Sequence, residues 1–178
     1  MVSQVATKGD LSFFYEFGQI YRKIQTFLFV HTPIEVTRYF RDPSRSAAKV
    51  YQNLLYLPEV NSRGYSDYNN TFSVFYKKHI HQVNARTVVL VIGDARNNFR
   101  RADYETFFKI SKKANNMIWI NPEPREKWNR GDSIIKQYAP ACDSLLNIYN
   151  VDGLRKILDS HPFEITRNGQ RSISLDRC

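Results

Sequence analysis

A run of six β-forming residues, TVVLVI at residues 87–92, constrains the fold of this chain more than any other segment. The run has no polar alternation, which is typical of a strand buried on both faces of a parallel sheet. It stops at Gly93 and Asp94, so a turn and an acidic side chain follow the strand directly. A strand of this kind needs helices on both faces of its sheet.

The rest of the chain supplies those helices and further strands in alternation. Apolar spacing and turn residues predict strands over residues 26–30, 35–40, 117–120 and 145–149. They predict helices over residues 11–23, 42–57, 103–114 and 151–158, one around Phe72, Phe75 and Tyr76, and a short one after Asp132. This order predicts an α/β fold with a doubly wound, mostly parallel sheet between two helical layers.

Composition fits one globular domain, because 42% of the 178 residues are hydrophobic and 24% are charged. We expect the domain over residues 1–160 and a polar tail over residues 161–178. No apolar run is long enough to cross a bilayer, and the first ten residues lack the pattern of a signal peptide. Two cysteines offer no disulfide framework, so we expect a cytoplasmic protein.

The net charge of +9 would suit a nucleic acid as partner. The basic residues, however, are scattered as singles and pairs, which is typical of a solvated surface. A basic nucleic-acid-binding module of Rossmann-like topology therefore stays as the alternative hypothesis. Its phosphate contacts would come from Arg96, Arg100, Arg101, Lys112 and Lys113.

Motifs of enzymes are missing from the sequence, which has no phosphate-binding glycine loop, no dinucleotide turn, no zinc-protease helix and no nucleophile elbow. His79 and His81 have the spacing of two ligands on a strand, but without a third ligand nearby we interpret them as surface residues. Taken alone, Asp94 and Ser66 are better explained as a turn residue and a helix cap. The sequence thus predicts a protein without catalytic activity.

Several separate blocks within residues 11–158 carry a resemblance to a known family. They read FLFVHTPIEVTRYF, GYSDYNNTFSVF, VVLVIGDARNN, IWINPEPREKW and GDSIIKQYAPACDSLL, followed by NVDGLRKIL. Together they resemble CoxE-like proteins that contain a von Willebrand factor type A (VWA) domain. The resemblance implies a doubly wound sheet with a metal-ion-dependent adhesion site, built from a D-x-S-x-S loop, a hydroxyl in a second loop and an aspartate in a third.

The same resemblance implies which residues form that site. Ser66 takes the place of the second-loop hydroxyl and Asp94 that of the third-loop aspartate, whereas Ser3 is the only match in the first loop, where Met1 and Val5 replace an acid and a serine. We therefore expect Mg²⁺ or another divalent cation to bind weakly or not at all. The polar residues of the neighbouring loops are predicted to contact a partner: Asp67, Arg96, Asn97, Asn121, Glu123 and Arg125.

Fold and function also follow from the resemblance. Aligning residues 1–5 with the first loop leaves no residues for the strand before it, which is central in a 3-2-1-4-5-6 order. We therefore expect a sheet that lacks its first central strand and exposes two inner edges. The implied function is a non-enzymatic protein–protein interaction domain that works with a MoxR-type AAA ATPase in metalloenzyme maturation or complex remodelling.

Overall fold

One mostly parallel sheet organises the chain, in a computed structural model that describes residues 2–4, 23–40, 46–57, 65–150 and 152–153. Within these residues the strand order is β3-β2-β1-β4-β5-β6. The strands are β1 Val2–Gln4, β2 Phe27–Phe29, β3 Ile34–Glu35, β4 Val88–Ile92, β5 Asn116–Asn121 and β6 Ser144–Asn147. Neighbouring strands are parallel except β2 and β3, which are antiparallel. The predicted α/β class is confirmed.

Helices pack on both faces of this sheet. They are α1 Thr37–Phe40, α2 Ala47–Leu55, α3 Tyr68–His79, α4 Tyr104–Lys113 and α5 Ile135–Tyr138, with short 3₁₀ turns at Ile80–Gln82, Arg125–Lys127 and Ala139–Ala141. Val89 and Val91 of β4 join the core under α3, α4 and α5, whereas Leu90 and Ile92 join the core under α1 and α2. This alternation confirms that the TVVLVI run is buried on both faces.

The central strand is present, so the expectation that the sheet lacks it is wrong. Strand β1 lies between β2 and β4, where Ser3 pairs with Leu28 on one side and with Ile92 on the other. Of the five residues assigned by resemblance to the first metal-binding loop, the three that the structure describes, Val2–Gln4, therefore form the strand itself. A three-residue strand is possible here because two neighbours satisfy its backbone N–H and C=O groups, which makes a long apolar run unnecessary.

A second expectation fails at residues 35–40, which were predicted to form one strand. The strand β3 ends at Glu35 and helix α1 begins at Thr37. The Thr37 hydroxyl accepts a hydrogen bond from the Thr26 N–H at 3.1 Å and donates one to Glu35 Oε1 at 2.9 Å. Because the Thr37 hydroxyl takes the Thr26 N–H in place of a strand carbonyl, the ladder between β2 and β3 does not continue, and the chain turns into a helix at this residue.

Other predicted elements stand close to their expected places, and three helices have side-chain caps. Ser46, Asp67 and Asp103 accept the backbone N–H three residues later at the start of α2, α3 and α4. Three predicted segments lie outside the described residues: the helix at residues 11–23 except its last residue, the beginning of the second helix at residues 42–45, and the tail at residues 161–178. Of the helix predicted at 151–158, only residues 152–153 are described. Among the described helices none has the length and hydropathy to cross a bilayer.

Candidate functional site

Three loops meet at the carboxyl end of the sheet, where sequence analysis placed the candidate site. The loop after β4 contains Asp94 and Arg96, the loop after β5 contains Glu123, and the segment before α3 contains Ser66. The Asn98 side chain donates to the Ser66 carbonyl oxygen at 2.7 Å, and the Arg96 guanidinium donates to Glu123 at 2.8 Å. These contacts connect the first loop to each of the other two.

Asp94 lies half-buried at the end of β4. Its Oδ1 accepts hydrogen bonds from the Arg96 N–H at 2.9 Å and from the Tyr68 hydroxyl at 3.3 Å. Burial raises the pKa of the Asp94 carboxyl, and the hydrogen bond from the Arg96 N–H opposes that rise in part. Among the described residues no Lys, Arg or His side chain forms an ion pair with it.

Tyr68 holds this carboxylate from the core side. The residue is fully buried, and its ring stacks on Trp119 with centroids 5.5 Å apart. Its hydroxyl donates to Asp94 and accepts the Ala95 N–H at 3.1 Å, while burial raises its pKa well above the usual value and keeps it protonated. No sequence pattern pointed to this contact; the nearest sequence signal is Gly93, where any Cβ would lie less than 3.0 Å from the Tyr68 hydroxyl.

Ser66 and Asp67 stand at the start of α3, beside the Asp94 loop. Ser66 is half-buried and directly precedes Asp67, whose Oδ1 accepts the Asn70 N–H at 2.9 Å. The other oxygen of Asp67 forms an ion pair with Arg100. The structure therefore brings Ser66 to the same edge as Asp94, while the Asp67 carboxylate is already engaged in a helix cap and an ion pair.

Arg96, predicted to contact a partner, forms an ion network within the site. Its guanidinium donates to both carboxylate oxygens of Glu123 and, at 2.8 Å, to Asp132 Oδ1. Asp132 Oδ2 also accepts the Asn98 N–H at 3.1 Å. Charge-assisted bonds of this kind fix the loop after β4 against two points of the connection after β5. No sequence signal indicated that Arg96, Glu123 and Asp132 would pair, because they are 27 and 36 residues apart.

Asn97 and Asn121 are fully buried supports of the same loops. Asn97 Oδ1 accepts the Tyr68 N–H at 2.9 Å, and its amide donates to the Arg100 carbonyl at 3.2 Å. Asn121 Oδ1 accepts the Glu123 N–H at 2.8 Å. Both were predicted to contact a partner, but buried side chains can affect binding only by shaping the loops. Arg125, predicted with them, is exposed above the Trp128 ring.

The residues at this edge fit a divalent cation in part. A half-buried carboxylate that forms no ion pair with a described residue and a nearby serine are oxygen donors of the kind that Mg²⁺ prefers together with water. The third predicted ligand, Ser3, lies within β1, paired with Ile92, two residues before Asp94. Nowhere in the described part of the chain do three His, Cys, Asp or Glu side chains form a group that could hold a metal.

The basic residues of the alternative hypothesis are spread over two places. Arg96 and Arg100 form ion pairs at the carboxyl edge of the sheet. Helix α4 has ten residues and is about 15 Å long. Lys112 and Lys113 lie at its end, away from the carboxyl edge of the sheet. There Lys113 donates to the Ile80 carbonyl oxygen at 2.9 Å. The predicted phosphate contacts therefore do not form one surface.

Comparison with known protein families identifies the family of the chain. The model of the family described as VWA domain containing CoxE-like protein matches residues 11–154, which is well over half of the chain. The matched segment contains Ser66 and Asp94 and begins after strand β1. A search of the curated proteins finds no match.

Proposed function

Because the chain belongs to the family of CoxE-like proteins that contain a VWA domain, we propose that it binds a protein partner at the carboxyl edge of its sheet and catalyses no reaction. Domains of this family are generally interaction modules. The observation that supports this site is Asp94, a half-buried carboxylate that neutral donors hold in place at a surface where three loops meet. The Tyr68 hydroxyl and the Arg96 N–H fix its direction, and no side-chain cation among the described residues forms an ion pair with it.

We further propose that Asp94 and Ser66 hold a divalent cation such as Mg²⁺ weakly. When bound, the cation would supply an open coordination position for an acidic side chain of the partner. Tyr68 orients the Asp94 carboxylate through its hydroxyl, and Asn98 holds the backbone of Ser66 in reach. Ser3 lies within β1, so among the described residues Asp94 and Ser66 alone remain as predicted ligands. We therefore propose that affinity for metal is low and that binding to the partner depends on it little.

The partner that we propose is a MoxR-type AAA ATPase, with which the chain would work in metalloenzyme maturation or complex remodelling. The resemblance of the loop sequences to CoxE-like proteins supports this choice, and the net charge of +9 favours association with an acidic surface.

Thermal unfolding with excess Mg²⁺ and with chelator tests the metal site, because a ligand that binds only the folded state raises its stability by RT ln(1 + [L]/Kd). We expect a small increase in Tm for the wild type and for the control Glu126→Gln, which changes an exposed acid on the Arg125–Lys127 turn. Asp94→Asn should abolish the increase. An equal increase in all three proteins would exclude Asp94 as a ligand.

Capture of a purified MoxR-type ATPase by the immobilised chain tests the partner. We expect capture that persists at least in part in chelator and weakens when Asp94 and Ser66 are replaced together by Asn and Ala. The Glu126→Gln chain serves again as the matched control. Failure to capture the ATPase under any metal condition would refute the proposed partner.

A further inference from the structure

Phe99 is an aromatic residue that the fold places outward at an energetic cost. Its side chain is 84% exposed, and its backbone has a φ of 60°, in the left-handed region that bulky residues rarely adopt. The preceding residue, Asn98, also has a positive φ, of 50°. Left-handed conformations at two successive non-glycine residues persist only where surrounding contacts hold them.

Those contacts come from Asn98 and not from the Phe99 ring. The Asn98 N–H donates to Asp132 Oδ2 at 3.1 Å, and its side chain donates to the Ser66 carbonyl oxygen at 2.7 Å. An exposed phenylalanine side chain contributes little to stability in return. Strained residues cluster at binding sites, so this loop is a candidate binding site.

Two more exposed residues are linked to Phe99, Arg101 by the chain and Tyr65 by the hydrogen bond between the neighbouring residues Asn98 and Ser66. Tyr65 is 78% exposed and precedes Ser66, which Asn98 ties to the Phe99 loop. Arg101 is exposed, and its guanidinium has no hydrogen bond or ion pair with any residue of the described ranges. Arg100, by contrast, is bound by Asp67. We call Tyr65, Phe99 and Arg101 the aromatic–basic rim.

We propose that the aromatic–basic rim binds an acidic segment of a protein partner that carries an apolar side chain, and that it does so without metal. Exposed aromatic residues and arginine are the side chains most enriched among residues that dominate binding energy. The guanidinium of Arg101 can receive a carboxylate in a bidentate pair, while Phe99 and Tyr65 pack against the apolar side chain. The proposal rests on the proposed function, since it names the chemistry of the same partner.

Charges near the rim favour a protein segment over a nucleic acid. The carboxylates of Asp67, Glu123 and Asp132 lie at the same edge and already engage Arg96 and Arg100. A phosphate backbone would meet these carboxylates repeatedly, whereas one short acidic segment can pair with Arg101 alone. Affinity for nucleic acid depends on several phosphate contacts, and among the described residues of this edge Arg96 and Arg100 are already paired with carboxylates.

Two arrays of 12-residue synthetic peptides test the proposal. In the first array, Asp and Glu surround one central Phe or Leu. In the counterpart array, Asn and Gln replace the Asp and Glu. Binding is measured in chelator for the wild type, Phe99→Asn and Arg101→Gln. Asn tolerates a left-handed backbone, so Phe99→Asn keeps the loop and relieves strain. Tyr56→Ser and Arg86→Gln are controls, because both residues are exposed elsewhere on the chain.

We expect the wild type and both controls to retain the acidic peptides at least about tenfold better than their amide counterparts. Phe99→Asn should weaken binding about tenfold or more, the loss typical of an aromatic anchor, while its Tm equals or exceeds that of the wild type. Unchanged binding by Phe99→Asn, or no preference for acidic peptides, would overturn the proposal. Tighter, Phe99-dependent binding of a single-stranded RNA probe would overturn it in favour of nucleic acid.

The outcomes separate this proposal from the proposed function. Peptide binding that needs Mg²⁺ and Asp94 but not Phe99 would refute the rim and leave the metal-dependent interaction site standing. Rim-dependent peptide binding together with failed capture of the ATPase would support the rim and refute the proposed partner.

Discussion

Replacing Gly93 by alanine should displace the Tyr68 hydroxyl from the candidate site, because the added Cβ would overlap it. The added Cβ would lie less than 3.0 Å from the Tyr68 hydroxyl and 3.3 Å from Cζ of the same ring. The hydroxyl must move, which weakens its hydrogen bonds to Asp94 and from Ala95. Gly93 has no positive φ, so the steric overlap is the source of the cost.

The expected loss of stability is the sum of the steric overlap and of the weakened hydrogen bonds. Overpacking a close-packed core costs about 1–3 kcal/mol, and a weakened buried hydrogen bond adds about 1 kcal/mol, so we expect a loss of about 2–4 kcal/mol in the free energy of unfolding. Tyr68→Phe alone should cost about 1–2 kcal/mol, because the buried Ala95 N–H loses its acceptor. In the double variant the hydroxyl is gone, and Gly93→Ala should then cost little more.

Urea unfolding followed by tryptophan fluorescence measures the cycle of four proteins, with an unchanged m-value as the check on two-state behaviour. We expect a coupling energy of about 2 kcal/mol, well above the roughly 0.5 kcal/mol typical of independent sites. Additive losses would refute the reasoning, since they would mean that alanine at position 93 does not act through the Tyr68 hydroxyl.

Three further predictions concern other buried groups. Asn97→Ala leaves the buried Tyr68 N–H without its acceptor and should lower the free energy of unfolding by about 1–3 kcal/mol in the same urea assay. Burial lowers the pKa of His79 in the folded chain, so the unfolded chain binds this proton more readily and stability should fall as pH decreases through the unfolded value near 6.5. The thermal unfolding of His79→Gln should show a weaker pH dependence than that of the wild type. Burial raises the pKa of the Cys142 thiol to about 12, so in a Cys178→Ser chain a disulfide reagent at mildly alkaline pH should react only after unfolding.

For each of these predictions, one result would contradict the reasoning. A neutral Asn97→Ala would mean that the Tyr68 N–H finds another acceptor. Identical pH profiles of the wild type and His79→Gln would assign the acid sensitivity to other groups. Rapid modification of Cys142 in the folded chain would contradict its burial.

Sequence patterns predicted the elements that depend on local chemistry. The apolar run before Gly93 predicted β4, and the apolar spacing over residues 103–114 predicted α4, because strand propensity and helical periodicity act over a few neighbouring residues. Strand β1 escaped prediction because Val2–Gln4 is short and partly polar, and the ladders on both its sides stabilise it. Such support comes from residues far along the chain, which no local pattern reveals.

In the candidate site, too, local patterns predicted the positions of residues but not the contacts between distant ones. The positions of Asp94 and Ser66 followed from a strand end, a helix start and the resemblance of the loops. The Tyr68 contact to Asp94 and the ion pairs of Arg96 with Glu123 and Asp132 join residues more than 25 positions apart. Several residues predicted to contact a partner thus bind one another, which only the packed loops could reveal.

Hydrogen exchange of the chain alone and in complex with the purified MoxR-type ATPase tests the central claim most directly. If the partner binds at the carboxyl edge of the sheet, backbone amides in residues 65–68 and 94–101 should exchange more slowly in the complex. Residues 84–87, which precede β4 at the opposite edge, should be unchanged. Protection confined to that opposite edge, or to the outer face of α4, would contradict the account.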